Sequence, residues 1–230
     1  MSERRVAAVT GGAGAIGGAI ARALAGAGHE VVVVDREGEY GCDLASEAEV
    51  RRVAREIVER AGRCDVFVHA AAAFHRASLA SVDLATWRRV QAVNVESALW
   101  MCQELAPGMA ERGFGRVVMI VSDTIWEPPA PDLLPYIVSK AALVGVARAL
   151  AVGLGPGGVT VNCVAPGLTA TPAAVADTPP EAFEQVRARQ AVPRALVPDD
   201  VAATVAFLAS DGAGAITGQT LCADGGLVMR

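Results

Sequence analysis

Apolar positions along this chain switch repeatedly between two periods. Val6 to Thr10 is a short apolar run that stops at Gly11-Gly12-Ala13-Gly14. Ile16, Ile20, Leu24 and Ala27 then recur along one helical face, and Gly26 and Gly28 close that segment. Val31-Val32-Val33-Val34-Asp35 is a continuous β-branched run, the pattern of a strand buried on both faces of a parallel sheet. The first forty residues thus predict strand, helix, strand, which is a βαβ unit. Only seven residues separate Asp35 from Asp43, too few for a crossover helix. A brief third strand at Tyr40 to Cys42 is all that fits there.

The alternation continues. Ser46 to Glu49 matches a capping box ahead of a stripe on Val50, Val53, Ala54, Ile57 and Val58. Val66-Phe67-Val68 reads as a fourth strand, and one long helix is predicted from Thr86 to Arg112 on Trp87, Val90, Val93, Ala98, Met101 and Leu105. Val117 to Val121 gives a fifth strand. A proline-rich loop from Glu127 to Pro135 leads to a helix from Tyr136 to Leu154, and Val159 to Val164 gives a sixth strand. Residues 167–194 carry four prolines and predict at most one short helix. A helix from Asp199 to Ser210 and a strand at Gln219 to Ala223 complete the pattern. With no internal repeat or linker, residues 1–230 predict one α/β domain. It is a doubly wound, Rossmann-type parallel sheet of about seven strands with helices on both faces, lacking a helix after the second strand.

Composition narrows the partners. The chain has 230 residues, 53% of them hydrophobic and 20% charged, so it carries enough apolar material for one sizeable core. A net charge of −5 excludes a broadly basic nucleic-acid binder, and no basic run suggests an anionic membrane surface. The mean hydropathy of +0.38 raises the question of a membrane span. The uncharged stretch Ala149 to Ala176 is broken by glycines and by Pro156, Pro166 and Pro172, so none is expected there. Arg4 and Arg5 before Val6 to Ala21 superficially resemble a signal peptide, but five glycines make that stretch strand, turn and helix. Cys42, Cys64, Cys102, Cys163 and Cys222 include no CxxC pair, and His29, His69 and His75 lack metal-ligand spacing. Buried reduced thiols, no metal and a cytoplasmic location are the expectations.

A glycine turn between a buried strand and a helix lets backbone N–H groups approach a pyrophosphate at the positive end of the helix dipole. An acidic residue closing the second strand accepts hydrogen bonds from a ribose diol. Thr10 to Gly17 followed by Asp35 has both parts in order. These forty residues alone leave S-adenosylmethionine open as the competing ligand. For a dinucleotide, Asp35 repels a 2′-phosphate and Gly14 brings no cation to neutralise one, so NAD is expected over NADP, with Arg36 as the contrary charge.

Tyr136 and Lys140 form a Tyr-x-x-Ser-Lys segment whose i, i+4 spacing puts phenol and ammonium on one helical face. A nearby cation favours the phenolate and is expected to lower the tyrosine pKa toward working pH, making it a usable acid/base. Together with the glycine turn, this segment closely resembles the short-chain dehydrogenase/reductase family in its compact single-domain branch. Matching motifs run along the chain: Thr10-Gly11 to Gly17, Asp43-Leu44, Asn94-Val95, Ser122, Tyr136 to Lys140, Asn162 to Gly167, and Ile216-Thr217-Gly218-Gln219 to Asp224-Gly225-Gly226.

The resemblance implies roles. Tyr136 would exchange a proton with the substrate oxygen, which Ser122 would hydrogen-bond. Lys140 would bind the nicotinamide ribose, and Asn94 would hold a water relaying protons from Lys140. The dinucleotide would lie over Gly11, Gly14, Ala15, Ile16 and Gly17, with Asp35, Asp43 and Leu44 at its adenosine end. Ala70 and Ala71 would also bind the cofactor, and Val164, Pro166, Gly167 and Thr171 would form the nicotinamide pocket. Hydride would pass between the cofactor and a carbinol carbon of an alcohol or ketone.

Three features depart from the family pattern. Ala15 replaces the middle glycine of the loop, and His69-Ala70-Ala71-Ala72 replaces Asn-Asn-Ala-Gly, with His69 expected as a hydrogen-bonding core residue. The spacing from Ser122 to Tyr136 is one residue longer than usual, which brings Asp123 and Thr124 into consideration beside Ser122. The stretches expected to meet substrate contribute Phe74, His75, Ile125, Trp126, Leu133 and Leu134, with Leu168, Val175 and Phe183 from a substrate-binding segment at about 167–194. Drawn from the segment after Pro166, from Ala72 to Ala77 and from the loop between Ser122 and Tyr136, they favour a bulky or cyclic apolar alcohol or ketone. The alternatives are a carrier-bound 3-oxoacyl chain, with Arg187 and Arg189 facing the carrier, and a catalytically weak regulatory protein of the same fold. Relatives imply a homotetramer or homodimer through the long helices and the last strand, consistent with apolar faces on Trp87 to Met109 and Ala141 to Leu150.

Overall fold

The computed structural model describes residues 4–229. Among them, seven parallel strands form one sheet in the order β3-β2-β1-β4-β5-β6-β7. The strands are β1 (Val6–Thr10), β2 (Glu30–Asp35), β3 (Tyr40–Gly41), β4 (Val66–His69), β5 (Gly115–Ile120), β6 (Val159–Pro166) and β7 (Thr220–Ala223). Strand order reverses between β1 and β4, which places a ligand crevice outside their carboxyl ends.

Alternate residues of β1 feed opposite cores, which is why the strand reads as unbroken apolar sequence. Val6 and Ala8 pack with α2 (Glu47–Ala61), α4 (Ser97–Glu111) and α5 (Leu134–Leu154). Ala7 and Val9 pack with α1 (Ala15–Gly26) and α8 (Pro198–Ala209). All eight residues of β6 are buried. β2 departs from expectation: Val32 and Val34 are buried, but Val33 is 36% exposed. Right-handed crossovers would set a helix between β2 and β3 on the same face as α1. Its absence uncovers Val33, so β2 is buried fully on one face only.

The predicted helix from Thr86 to Arg112 is three pieces. α3 (Leu84–Gln91), capped by Asp83, passes through a π-turn at Ala92–Glu96 into α4. The capping box of α2 is half formed: Ser46 Oγ accepts from Glu49 N–H at 3.4 Å, while the Glu49 carboxylate turns to the Asp43 N–H at 2.8 Å.

Residues 167–194 hold two helices rather than at most one, α6 (Pro172–Asp177) and α7 (Pro180–Arg189). Each starts on a proline, the one helical position where its missing N–H costs nothing. By length and composition α5 could cross a membrane, a possibility the sequence reading did not raise. Here Leu143, Val144, Ala147 and Ala151 on that helix are buried in the core beside β6.

Candidate active site

At the switch point the chain leaves β1 through Gly11, whose φ of +68° suits glycine alone. A Cβ there would stand 2.7 Å from Ala71 Cα, and one on Gly17 would stand 2.1 Å from the Gly11 carbonyl oxygen. The turn is thereby pressed between the end of β4 and the first turn of α1. Gly14 is the N-cap of α1 without a side-chain hydrogen bond, and no acidic residue lies in the first turn. The N–H groups of Ala15, Ile16 and Gly17 thus keep the anion-binding character of a helix start. Asp35 Oδ2 accepts from the Ala13 N–H at 3.0 Å, which fixes the ribose-side carboxylate against the turn. These residues fit a dinucleotide.

Further along the same edge, Leu44 is buried and Asp43 is half-buried. The expected adenine contact of Asp43 is shared with Arg89, whose Nη1 lies 2.9 Å from Asp43 Oδ2. The Arg89 guanidinium and the Ala45 N–H hold the Asp43 carboxyl below its ordinary range.

Asn94 sits inside the π-turn with no exposure. Such turns widen a helix by one residue and are common at functional sites. Asn94 Oδ1 accepts from the Ala73 N–H at 2.6 Å, and Nδ2 donates to Ala73 O at 3.1 Å and to Ser139 Oγ at 2.9 Å. Ser139 Oγ donates in turn to the Tyr136 carbonyl at 2.7 Å. On the other side, the Asn94 carbonyl is 3.1 Å from His69 Nε2. A carbonyl only accepts, so Nε2 carries the proton and Nδ1 accepts from Thr10 Oγ1 at 2.9 Å. Burial and the nearby Lys140 charge push the His69 pKa down to about 3, keeping the ring neutral. The water expected at Asn94 therefore meets a residue whose carbonyl and amide are already engaged by protein. His69 takes the bracing role expected of it. Ser139 was not singled out from sequence, although the Tyr-x-x-Ser-Lys spacing contained the signal.

Tyr136 and Ser122 come together at the carboxyl end of β5. Burial pushes the phenol up to about 12, the Ser122 hydroxyl bonded to it lowers it, and the Asp123 charge raises it. The expected lowering by Lys140 is not found. Lys140 Nζ lies 5.7 Å from the phenol ring centre and donates to Ile120 O at 2.7 Å, and burial pulls its own pKa down to about 8.

Pro166 and Val164 end β6 in full burial. A Cβ on Gly167 would stand 2.9 Å from the Asp224 side chain, which makes glycine the only easy occupant beside β7. Thr171 Oγ1 accepts from the Ala174 N–H at 3.1 Å and caps α6.

Of the expected substrate wall, Phe74 meets the Tyr136 ring edge-on, with centroids 5.1 Å apart. Leu168 and Phe183 border a cavity of about 40 Å³ beneath α7, and Val175 is exposed. Loop 72–83 is tied to the loop after Ser122 by the Arg76–Asp132 ion pair at 2.9 Å and by the Ala77–Leu133 bridge. Arg187 pairs with Glu184 and Arg189 with Glu127, so both arginines face acids of this chain.

Residues 11–228 match a family model described as enoyl-(acyl carrier protein) reductase. A 4-formylbenzenesulfonate dehydrogenase of Comamonas testosteroni is 36% identical over 248 residues, spanning 97% of this chain and 98% of its own. A D-xylose 1-dehydrogenase of Caulobacter vibrioides is 35% identical over 236 residues, spanning 95% and 93%. The crystal structure of a putative NAD(P)-dependent gluconate 5-dehydrogenase from Beutenbergia cavernae, with NADP bound at low occupancy, is similar at 33% identity. Its TM-score is 0.90, over 97% of this chain and 96% of that one.

Proposed function

The chain belongs to the short-chain dehydrogenase/reductase family of NAD(P)-dependent oxidoreductases, and from that membership we propose that it interconverts a secondary alcohol and its ketone with Tyr136 as acid/base. The observation that carries this reading is the Tyr136 phenol at the sheet's carboxyl edge, where the Ser122 hydroxyl lowers its pKa, beside the start of α1, which has no side-chain cap. When bound, the nicotinamide supplies or accepts the hydride. Ser122 donates a hydrogen bond to the reacting oxygen and fixes its distance from the phenol. Tyr136 gives its proton to that oxygen in reduction and takes it back in oxidation. Lys140 binds the nicotinamide ribose from its place beneath β5. Asn94 acts as a positioning residue through Ser139.

NAD is the proposed partner, because Asp35, tied to the glycine turn, would repel a 2′-phosphate, with the exposed Arg36 beside it as the contrary charge. A bulky or cyclic substrate with an apolar body fits the Phe74 side of the cleft. The carrier-bound alternative loses its charge argument, since Arg187 and Arg189 are paired within the chain. Assembly as a homotetramer in the cytoplasm goes with this reading. The open edge of β7 and Phe207, Leu221 and Met229 beside it would be covered by a second copy, and sedimentation as a monomer would refute that.

Titration of the purified protein with NADH and NADPH, followed by nicotinamide fluorescence, tests the cofactor reading. NADH is expected to bind roughly tenfold more tightly; equal affinities would sink the role of Asp35. In Tyr136→Phe, NADH binding should persist while ketone turnover falls by about a thousandfold. Retained turnover would remove Tyr136 from the mechanism.

A further inference from the structure

Ser122 has one proton to give, and two acceptors face it. Its Oγ accepts from the Thr124 hydroxyl at 2.9 Å and from the Thr124 N–H at 3.3 Å. A hydroxyl has one donor and two lone pairs, so Thr124 fills the accepting side and leaves Ser122 to act as donor. Of the two acceptors, one is the Tyr136 phenol, whose pKa the Ser122 hydroxyl lowers. The other is Asp123 Oδ1, at a long 3.4 Å.

Asp123 is only 7% exposed. The charges facing it are acidic: Asp224 from the end of β7, whose carboxylate is held by the N–H groups of Gly226 and Val228, and Glu127, which is paired with Arg189 of α7. Tyr136 faces it from α5. Asp123 is a buried carboxylate with two acidic neighbours and a single weak side-chain donor, set between the serine and the sheet edge.

We propose that Asp123 is a positioning residue for the reaction: its carboxylate draws the Ser122 proton away from the reacting oxygen, and its protonation hands that proton back. The inference rests on the roles of Ser122 and Tyr136 given above. Ionised Asp123 also opposes negative charge on the phenol, so both effects act in one direction. Burial first, and Asp224 next, push the Asp123 carboxyl up to about 6, where its charge changes close to neutral pH. Ketone reduction needs the Ser122 proton on the substrate oxygen, so the site is most effective below that point. In the sequence, the adjacency of Asp123 to Ser122 and the lengthened spacing to Tyr136 were the signals.

The test is kcat/KM for ketone reduction against pH in the wild type and in Asp123→Asn. The wild type is expected to gain about fivefold as pH falls through 6, the difference between a charged and a neutral acceptor on one hydroxyl. Asp123→Asn should be flat and equal to the acid plateau of the wild type. An inflection near pH 6 that survives in Asp123→Asn overturns the proposal and leaves the parent reading standing. Full activity in Ser122→Ala, by contrast, overturns the parent reading. A measurement free of turnover closes the remaining gap: carboxyl carbon NMR of Asp123 in the unliganded chain. Its apparent pKa should rise in Ser122→Ala, because the hydroxyl that stabilises the anion is gone; no change overturns the proposal whatever the activity.

Discussion

Beneath the site, Thr10, His69, Asn94 and Ser139 have no exposure and share one line of hydrogen bonds that runs from the glycine turn to the Tyr136 carbonyl. Above it, α6 and α7 bury no residue at all and are fastened by the Arg189–Glu127 ion pair and the Thr169–Leu196 bridge. Buried polar chains are costly to break because each orphaned partner stays away from water. Exposed ion pairs cost little either way. One region is braced by buried polar bonds and the other is held at its surface, and the proposed reacting groups lie beside the braced one.

The sharpest way to break this contrast is His69→Leu, which leaves the Asn94 carbonyl and the Thr10 hydroxyl without their partner. We expect a loss of about 3 kcal/mol in urea denaturation. The pH dependence of stability should change with it. The folded pKa of His69 is about 3 and that of a free histidine is 6.5, so between those values the unfolded chain binds a proton that the folded one refuses. The contribution of His69 is therefore fully present above pH 6.5 and lost as pH falls toward 3. His69→Leu should flatten that slope, and an unchanged slope would show the ring to be ordinary packing.

At the other end of the scale stands Arg189→Ala. Stability should stay within about 0.5 kcal/mol of the wild type, since both partners are half exposed. The substrate KM should rise by about threefold while kcat holds, because the pair fastens α7 to the loop beside Ser122. A stability loss matching that of His69→Leu would erase the distinction between the buried polar line and α6 with α7.

Much of the fold was legible because its signals are local. The glycine turn, the strand ends and the absent helix after β2 follow from residues within a few positions of one another. Local rules misread α6 and α7, since a proline that starts a helix is the same residue as one that stops it. The π-turn was hidden because Val90, Val93 and Ala98 continue an apolar stripe through it, and a shift of one residue leaves that stripe intact. Val33 is exposed because of a neighbour that the chain does not supply. At the site, Tyr136 and Lys140 were singled out by spacing and Asn94 by the family resemblance, but what they touch could not be read. The Lys140 ammonium goes to Ile120, twenty residues away, and Asn94 to Ser139 across forty-five. The tyrosine pKa was misjudged for that reason: the chain pattern shows the cation, whereas the burial that raises the pKa is a property of the assembled core.

The strand order has one more consequence, felt before the protein is finished. β1 is the first strand made yet lies near the middle of the sheet, paired on one side with β2 and on the other with β4. Thr10 meets His69 across 59 residues of chain. At a synthesis rate of about 5–20 residues per second, one edge of that uncharged strand waits roughly 3–12 s for its partner. A bare strand edge is a template for pairing with any other chain. The pace of translation through the first seventy residues therefore decides how long the nascent chain stays open to strand-to-strand association.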